Sequence, residues 1–135
     1  MNTILIDTDI LLDVGLGREP FVESSSTVLE YAENGQVKAF IAWHSIANFY
    51  YITEKGNPNK TNIGFIQDLL QFVKISPTKT QDALFAISLG LPDFEDALQV
   101  AAANAINASY ILTRNIKHYK KSPIPAMTPA EFIQI

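Results

Sequence analysis

At 135 residues, with 47% hydrophobic and 18% charged side chains, the chain has the size and composition of one globular domain able to bury a real core. The absence of cysteine excludes disulfides and thiolate metal sites, and the net charge of −4 weighs against a general nucleic-acid coat. No apolar run reaches the roughly 18 residues of a membrane span and no basic leader opens the chain. The expectation is therefore a cytoplasmic single domain over 1–135, complete from Met1, with no membrane contact.

The elements follow in chain order. The run 3-TILI-6 is short, apolar and β-branched, and reads as a buried strand. A helical pattern over Thr8–Val14 is broken by Gly15 and Gly17. Pro20 is expected to open a second helix over about 20–34, closed by 34-NG-35. Then come a strand at 37-VKAFIA-42, a helix with an aromatic face over 43–55 that ends at 56-GNP-58, and a helix over about 59–71. A strand at 72-FVKIS-76 precedes a helix at 79–89, capped by Gly90. Pro92 stands beside the first turn of a helix over 93–107, and 109-SYILT-113 forms the next strand. A basic loop follows, and 123-PIPAMTPAEFIQI-135 holds a short strand and a final helix. Short apolar strands alternating with amphipathic helices predict a three-layer α/β/α sandwich around a central, mostly parallel sheet.

In such sheets ligands gather beyond the carboxyl ends of the strands. Asp7 ends the first strand, and Thr113, Arg114 and Asn115 end the fourth. The 93–107 helix begins with Asp93, Glu95 and Asp96, and its start is placed to face them. Asp93 suits an N-cap, and Asp96 lies three residues on, on the same helix face. Glu95 is expected on a different, solvated face, Asp9 as a partner of the helix dipole, and Asp13 in solvent. Convergent carboxylates raise one another's pKa unless a cation neutralises them, and all-oxygen ligands suit Mg2+ or Mn2+. The implied chemistry is metal-dependent cleavage of a phosphate ester. Four of the ten basic residues, Arg114, Lys117, Lys120 and Lys121, fall within 114–121, with His118 among them. They make either a solvated loop or a phosphate-facing patch.

The chain resembles the PIN domain, and in particular the VapC-like ribonuclease toxins of toxin–antitoxin pairs. The resemblance rests on 6-IDTDILLD-13, 45-SIANFYYI-52, 93-DFEDALQVAAA-103 and 112-LTRNIKHY-119, in that order and essentially end to end. It implies a metal-dependent endoribonuclease. Asp7 matches the family's first metal-binding acid, Asp96 the acid of its central helix, and Asp93 an acid carried by part of the family. Thr113 and Asn115 match polar positions around the metal. The chain departs from the pattern twice. The family's second acid, commonly a Glu, is Asn48 here, and its fourth, commonly an Asp, is replaced at both usual places by Asn115 and His118. The shell is thus expected to hold Asp7, Asp96 and Asp93, supported by Asn48, Thr113 and Asn115, with fewer charges for Mg2+ or Mn2+. Arg114, Lys117, His118 and Lys120 are the expected RNA contacts.

The resemblance also implies a cognate antitoxin that covers the acidic cleft, and a homodimer for which Phe49 and Tyr50 offer an apolar face. Three other readings compete with this one. The 7-DTD-9 run is similar to the nucleophile–acid pair of haloacid-dehalogenase-type phosphatases, but the acids at 93–96 precede Thr113, the wrong order. A phospho-receiver domain needs an Asp ending a middle strand, which 72-FVKIS-76 lacks. The third is a PIN-like domain that binds RNA or protein without cutting, motivated by Asn48, Asn115 and His118.

Overall fold

The computed structural model describes residues 1–55 and 61–135. The expected helix stop at 56-GNP-58 and the first two residues of the 59–71 helix lie outside the described residues. Five strands, β1 (Thr3–Ile6), β2 (Lys38–Ile41), β3 (Val73–Ile75), β4 (Tyr110–Leu112) and β5 (Ala126–Met127), form one sheet in the order β3-β2-β1-β4-β5. Every pairing is parallel. β1 is central and buried on both faces, which is why its sequence is a continuous apolar run rather than an alternation. Ile4 and Ile6 enter one core and Leu5 the other.

On the Ile4 side pack α1 (Thr8–Gly15), α2 (Val22–Glu33), α3 (Trp43–Glu54), α4 (Thr61–Leu69) and α7 (Pro129–Ile133). On the other side α5 (Thr80–Ser88) covers α6 (Phe94–Ala105), which in turn lies on β1 and β4. The sandwich position explains the alanines of α6. Ala102 and Ala103 meet the sheet core, while Ala97 and Ala101 meet Ala86 of α5. Small side chains let three layers approach at one helix. α6 ends at Ala105, two residues before the expected limit, where Asn107 takes a left-handed φ of 52°. α2 likewise starts at Val22 rather than Pro20, because Phe21 and Val22 both donate their N–H groups to the Arg18 carbonyl in a turn. The basic loop contains a short 3₁₀ helix, Ile116–Tyr119.

Three expectations are corrected here. Asp13 is not solvated: it is 0% exposed, and Arg114 Nε lies 2.8 Å from its Oδ2. Burial pushes the Asp13 carboxyl up and the Arg114 charge opposes that shift. The guanidinium also stacks over Phe21, 4.1 Å from the ring centroid. Arg114 therefore points into the fold and not toward a substrate. Phe49 is not an outward face either: it is buried, stacked on Phe65 at 4.9 Å, and crowds Gly15, where a Cβ would sit 2.8 Å from its ring.

Removing the Arg114 side chain leaves a buried carboxylate without its partner. Arg114→Ala is expected to lower stability by roughly 2–3 kcal/mol, at the low end for a broken buried pair because Arg114 is partly exposed. Thermal unfolding checks this, and a Tm within about 2 °C of the wild type would contradict the structural role of the pair.

Candidate active site

The site is assembled by the register of β1 on β4. Ile6 pairs with Leu112, so Asp7 and Thr113 emerge side by side at the carboxyl edge, and Asp7 N–H donates to the Leu112 carbonyl at 2.9 Å. Asp7 is buried and caps α1, its Oδ1 accepting from Thr8 N–H at 2.7 Å. Its Oδ2 accepts from the Thr113 hydroxyl at 2.9 Å and from the Tyr119 hydroxyl at 2.8 Å. The helix cap and the contacts to Thr113 and Tyr119 are thus made by different oxygens of one carboxylate.

Asp9, two residues into the same helix, takes its contacts from the strand end. Its Oδ2 accepts from Arg114 N–H at 3.1 Å and Asn115 Nδ2 at 3.3 Å, with the Thr113 hydroxyl also 3.3 Å away. Thr113 is fully buried and accepts from Asn115 N–H at 3.1 Å. The Thr-Arg-Asn segment holds both Asp7 and Asp9, and Asp9 was not legible as a site member.

From the other side comes the start of α6. Asp93 is its N-cap, with Oδ1 accepting from Glu95 N–H at 2.8 Å and Asp96 N–H at 3.4 Å. Asp96 is 7% exposed. Its Oδ1 lies 3.4 Å from the Tyr119 hydroxyl, whose single proton is better aimed at Asp7. Its Oδ2 is buried without a hydrogen bond from the described residues, with His118 Nδ1 3.3 Å away. Asp9 Oδ1 is likewise buried without a partner among them.

Glu95 corrects the expectation of a solvated face. It is half-buried, and its Oε1 accepts from His44 Nε2 at 3.1 Å, Gln99 Nε2 at 3.2 Å and Asn48 Nδ2 at 3.3 Å. Gln99 is fully buried and also donates to Ser45 Oγ at 2.9 Å, which accepts from the Thr8 hydroxyl at 2.9 Å. The network ties α6 through α3 to the residue beside Asp7. Its signal was available: Glu95 and Gln99 are four apart, and a Gln amid Ala, Val and Leu on an inner helix calls for a partner.

The electrostatics follow from this crowding. Burial, then the charge of Glu95, raises the Asp7 carboxyl. Burial and the neighbouring Asp7 push Asp9 up to about 7. Burial, with the charges of Asp93, Asp7 and Glu95, pushes Asp96 up to about 6. Glu95 moves the other way, lowered first by its hydrogen bond from His44. The donors around Glu95 favour its charged form, while burial and repulsion work against the charged forms of the other three.

Asp7, Asp9, Asn48, Glu95, Asp96 and Asn115 line a cavity of about 220 Å³ at this edge. A larger cavity of about 410 Å³ lies next to it, lined by Asp93, Asp96, Lys117, His118, Lys120 and Lys121 among others. Asp96 borders both. The larger space is the basic one, and the smaller is lined by the acids. Of the expected site residues, Asp7, Asp96, Asn48 and Asn115 meet in the acidic cavity with Thr113 behind Asp7, whereas Asp93 borders the basic one. Asp93, Glu95 and Asp96 each bring one oxygen within 4.8 Å of the others. The donors are all oxygens, and two of those buried, Asp9 Oδ1 and Asp96 Oδ2, accept no hydrogen bond from the described residues, which fits a hard divalent cation held among Asp7, Asp9, Glu95 and Asp96. Tyr119, Gln99 and His44 escaped the sequence reading, because neither a tyrosine after a basic loop nor a histidine opening a helix announces a contact so distant in the chain.

Several solved structures share this architecture at low identity. A chain in the structure of VapBC2 from Rickettsia felis bound to a promoter DNA fragment superposes with a TM-score of 0.73 at 20% identity, covering 93% of this chain and 98% of that one. VapBC-1 from nontypeable Haemophilus influenzae gives 0.70 at 16%, over 95% and 98%. A toxin–antitoxin complex from Klebsiella pneumoniae gives 0.67 at 21%, over 93% and 97%. No curated protein matches the chain. A family model described as PIN domain matches residues 3–117. With that match over most of its length, and with the fold and sheet-edge acids just described, the chain belongs to the PIN domain family.

Proposed function

We propose that this PIN domain is a metal-dependent endoribonuclease, the toxin of a type II toxin–antitoxin pair, acting in the cytoplasm. The observation that carries the reading is the convergence of Asp7, Asp9, Glu95 and Asp96 on one cavity at the carboxyl ends of β1 and β4, with buried oxygens lacking partners. A divalent cation, Mg2+ or Mn2+, supplies there the Lewis acidity that stabilises charge on a phosphoryl oxygen and acidifies a water. The residues of the chain do the remaining work. Asp7 and Asp96 hold the ion from the strand edge and from α6. Thr113 and Tyr119 fix the orientation of Asp7, and Asp93 fixes Asp96 through the cap. Asn48 and Asn115 complete the shell with neutral oxygens.

Lys117, His118 and Lys120, joined by Lys121, line the adjoining basic cavity and receive the phosphates of an RNA strand whose scissile bond reaches Asp96. Arg114 is removed from that set, its guanidinium being committed to Asp13. The VapBC structures above support an antitoxin partner, which covers the cleft. A homodimer, if formed through α3, uses the outward Tyr51 and Ile52 in place of the inward Phe49. Among the described residues no helix is long and apolar enough to cross a membrane.

Purified chain freed of any partner is expected to cleave mixed RNA with Mn2+ or Mg2+ and not with EDTA. Asp7→Asn and Asp96→Asn should each lower the rate by about a hundredfold or more, in the range typical of lost electrostatic stabilisation. Folded protein that binds RNA but fails to cut it with either metal would favour the binding-only reading, motivated by Asn48 and Asn115; unchanged rates in both variants would sink the site assignment.

The raised carboxyls also predict a pH dependence. Between the ordinary value of 3.8 and the folded values of about 7 for Asp9 and about 6 for Asp96, the folded protein binds more protons than the unfolded one. The stability of the metal-free protein therefore falls as pH rises through that window. A bound cation favours the ionised acids, so the rise in Tm caused by Mn2+ over EDTA should grow from pH 5 to pH 8. Scanning calorimetry reads this directly, and an increment that shrinks with pH would contradict it.

A further inference from the structure

We propose that Glu95 is the third carboxylate ligand of the cation, reaching the site from α6 and supplying the charge that Asn48 does not. The inference rests on the metal-dependent reading above and names a ligand within it. Asn48 stands on α3 where the family resembled commonly has a glutamate, and its Nδ2 lies 3.3 Å from Glu95 Oε1. The carboxylate missing from one helix is thus met, at that position, by one from the other. Both residues line the cavity that holds Asp7 and Asp96.

Glu95 is also held as a ligand needs to be. His44, Asn48 and Gln99 all donate to the same oxygen, so two helices fix the orientation of one carboxylate. A carboxylate has two oxygens and about four lone pairs, and three donors leave it room for a metal. Asp93 is the competing third acid, but its Oδ1 is engaged by two backbone N–H groups of its own helix and it borders the basic cavity instead. An independent observation points to a ligand at this place. Asp96, next in the chain to Glu95, is 7% exposed, and its buried Oδ2 accepts no hydrogen bond from the described residues, with only the half-exposed His118 ring, Nδ1 at 3.3 Å, beside it. Glu95 and Asp96 bring oxygens within 4.8 Å of each other and of one from Asp93, close enough to share one ion, and of the three only Glu95 and Asp96 line the cavity that holds Asp7.

The test is a calorimetric titration of the metal-free full chain with Mn2+, for wild type, Glu95→Gln, and the double variant Glu95→Gln with Asn48→Glu. Glutamine keeps an oxygen for the three donors and removes only the charge. Glu95→Gln is expected to raise the Kd for Mn2+ by about tenfold or more, and returning a carboxylate from α3 in the double variant to restore it to within about threefold of wild type. An unchanged Kd in Glu95→Gln overturns this assignment alone and leaves the nuclease reading standing. A loss in Glu95→Gln that the double variant does not restore overturns it too, since the defect would then lie in the α3–α6 network. Wild-type protein that takes up no Mn2+ overturns the metal-dependent reading, and this assignment falls with it.

Discussion

The burial of Asp7 at the end of the central strand is the constraint on which the site depends. A carboxylate taken out of water is costly unless donors or a cation compensate it. Here the chain provides a backbone amide and two hydroxyls, from Thr8, Thr113 and Tyr119. Those donors come from α1, from the end of β4 and from the basic loop, so three separated segments converge because one charge has to be satisfied. Asp9, Glu95 and Asp96 then crowd the same space and reverse part of that compensation. An arrangement that only stabilised the fold would not add acids to an already buried acid. Their accumulation at a sheet edge is the repulsion that the cation proposed above would relieve.

The helix that brings Glu95 and Asp96 serves two demands at once. Its inner faces are alanine because α5 lies on one side and the sheet on the other. Its first turn is acidic because that turn overhangs the cavity. Gln99 joins the two halves: it sits at the depth of the alanines yet donates to Glu95 and Ser45. A buried amide in such a place specifies how the helix is rotated, since any other rotation would strand its donors. The packing of α6 and the aim of its carboxylates are therefore one problem, solved by the same residues.

Much of this was legible in the sequence, and the reasons differ by element. The apolar runs at 3–6 and 109–113 and the Ala-rich helix report burial directly, so strand order aside, the layered fold followed from their alternation. Asp7 and Asp96 were legible because one ends a strand and the other opens a helix, positions that topology brings to one edge. What was not legible depends on contacts between distant segments. Asp13 looks like any exposed helical acid until Arg114, far along the chain, is placed against it. Glu95 was assigned to solvent because helix periodicity was applied relative to Asp96 alone; α3 supplies a second wall that periodicity does not contain. Phe49 was offered as surface because an aromatic run such as 49–51 does not reveal which ring turns inward, and Phe65 and Gly15 decide it.

The strand-end segment Thr113-Arg114-Asn115 shows how a short motif divides its labour. Thr113 gives its hydroxyl to Asp7, and Asn115 gives its side-chain amide to Asp9. Arg114 gives its backbone N–H to Asp9 and sends its guanidinium the opposite way, to Asp13. Asp9 and Asp13 lie four apart on α1, so that one residue fastens the helix at two successive turns of the same face. The arginine is accordingly spent on holding α1, and with it Asp7 and Asp9, against β4. The positive charge of the neighbouring cavity is left to the lysines beyond it, on the far side of Asp96. Repulsion inside the acidic cavity and attraction in the basic one are thereby kept in separate spaces, with Asp96 as the residue common to both. Among the described residues, Asp96 is the wall at which the lysine-lined space and the acid-lined space meet.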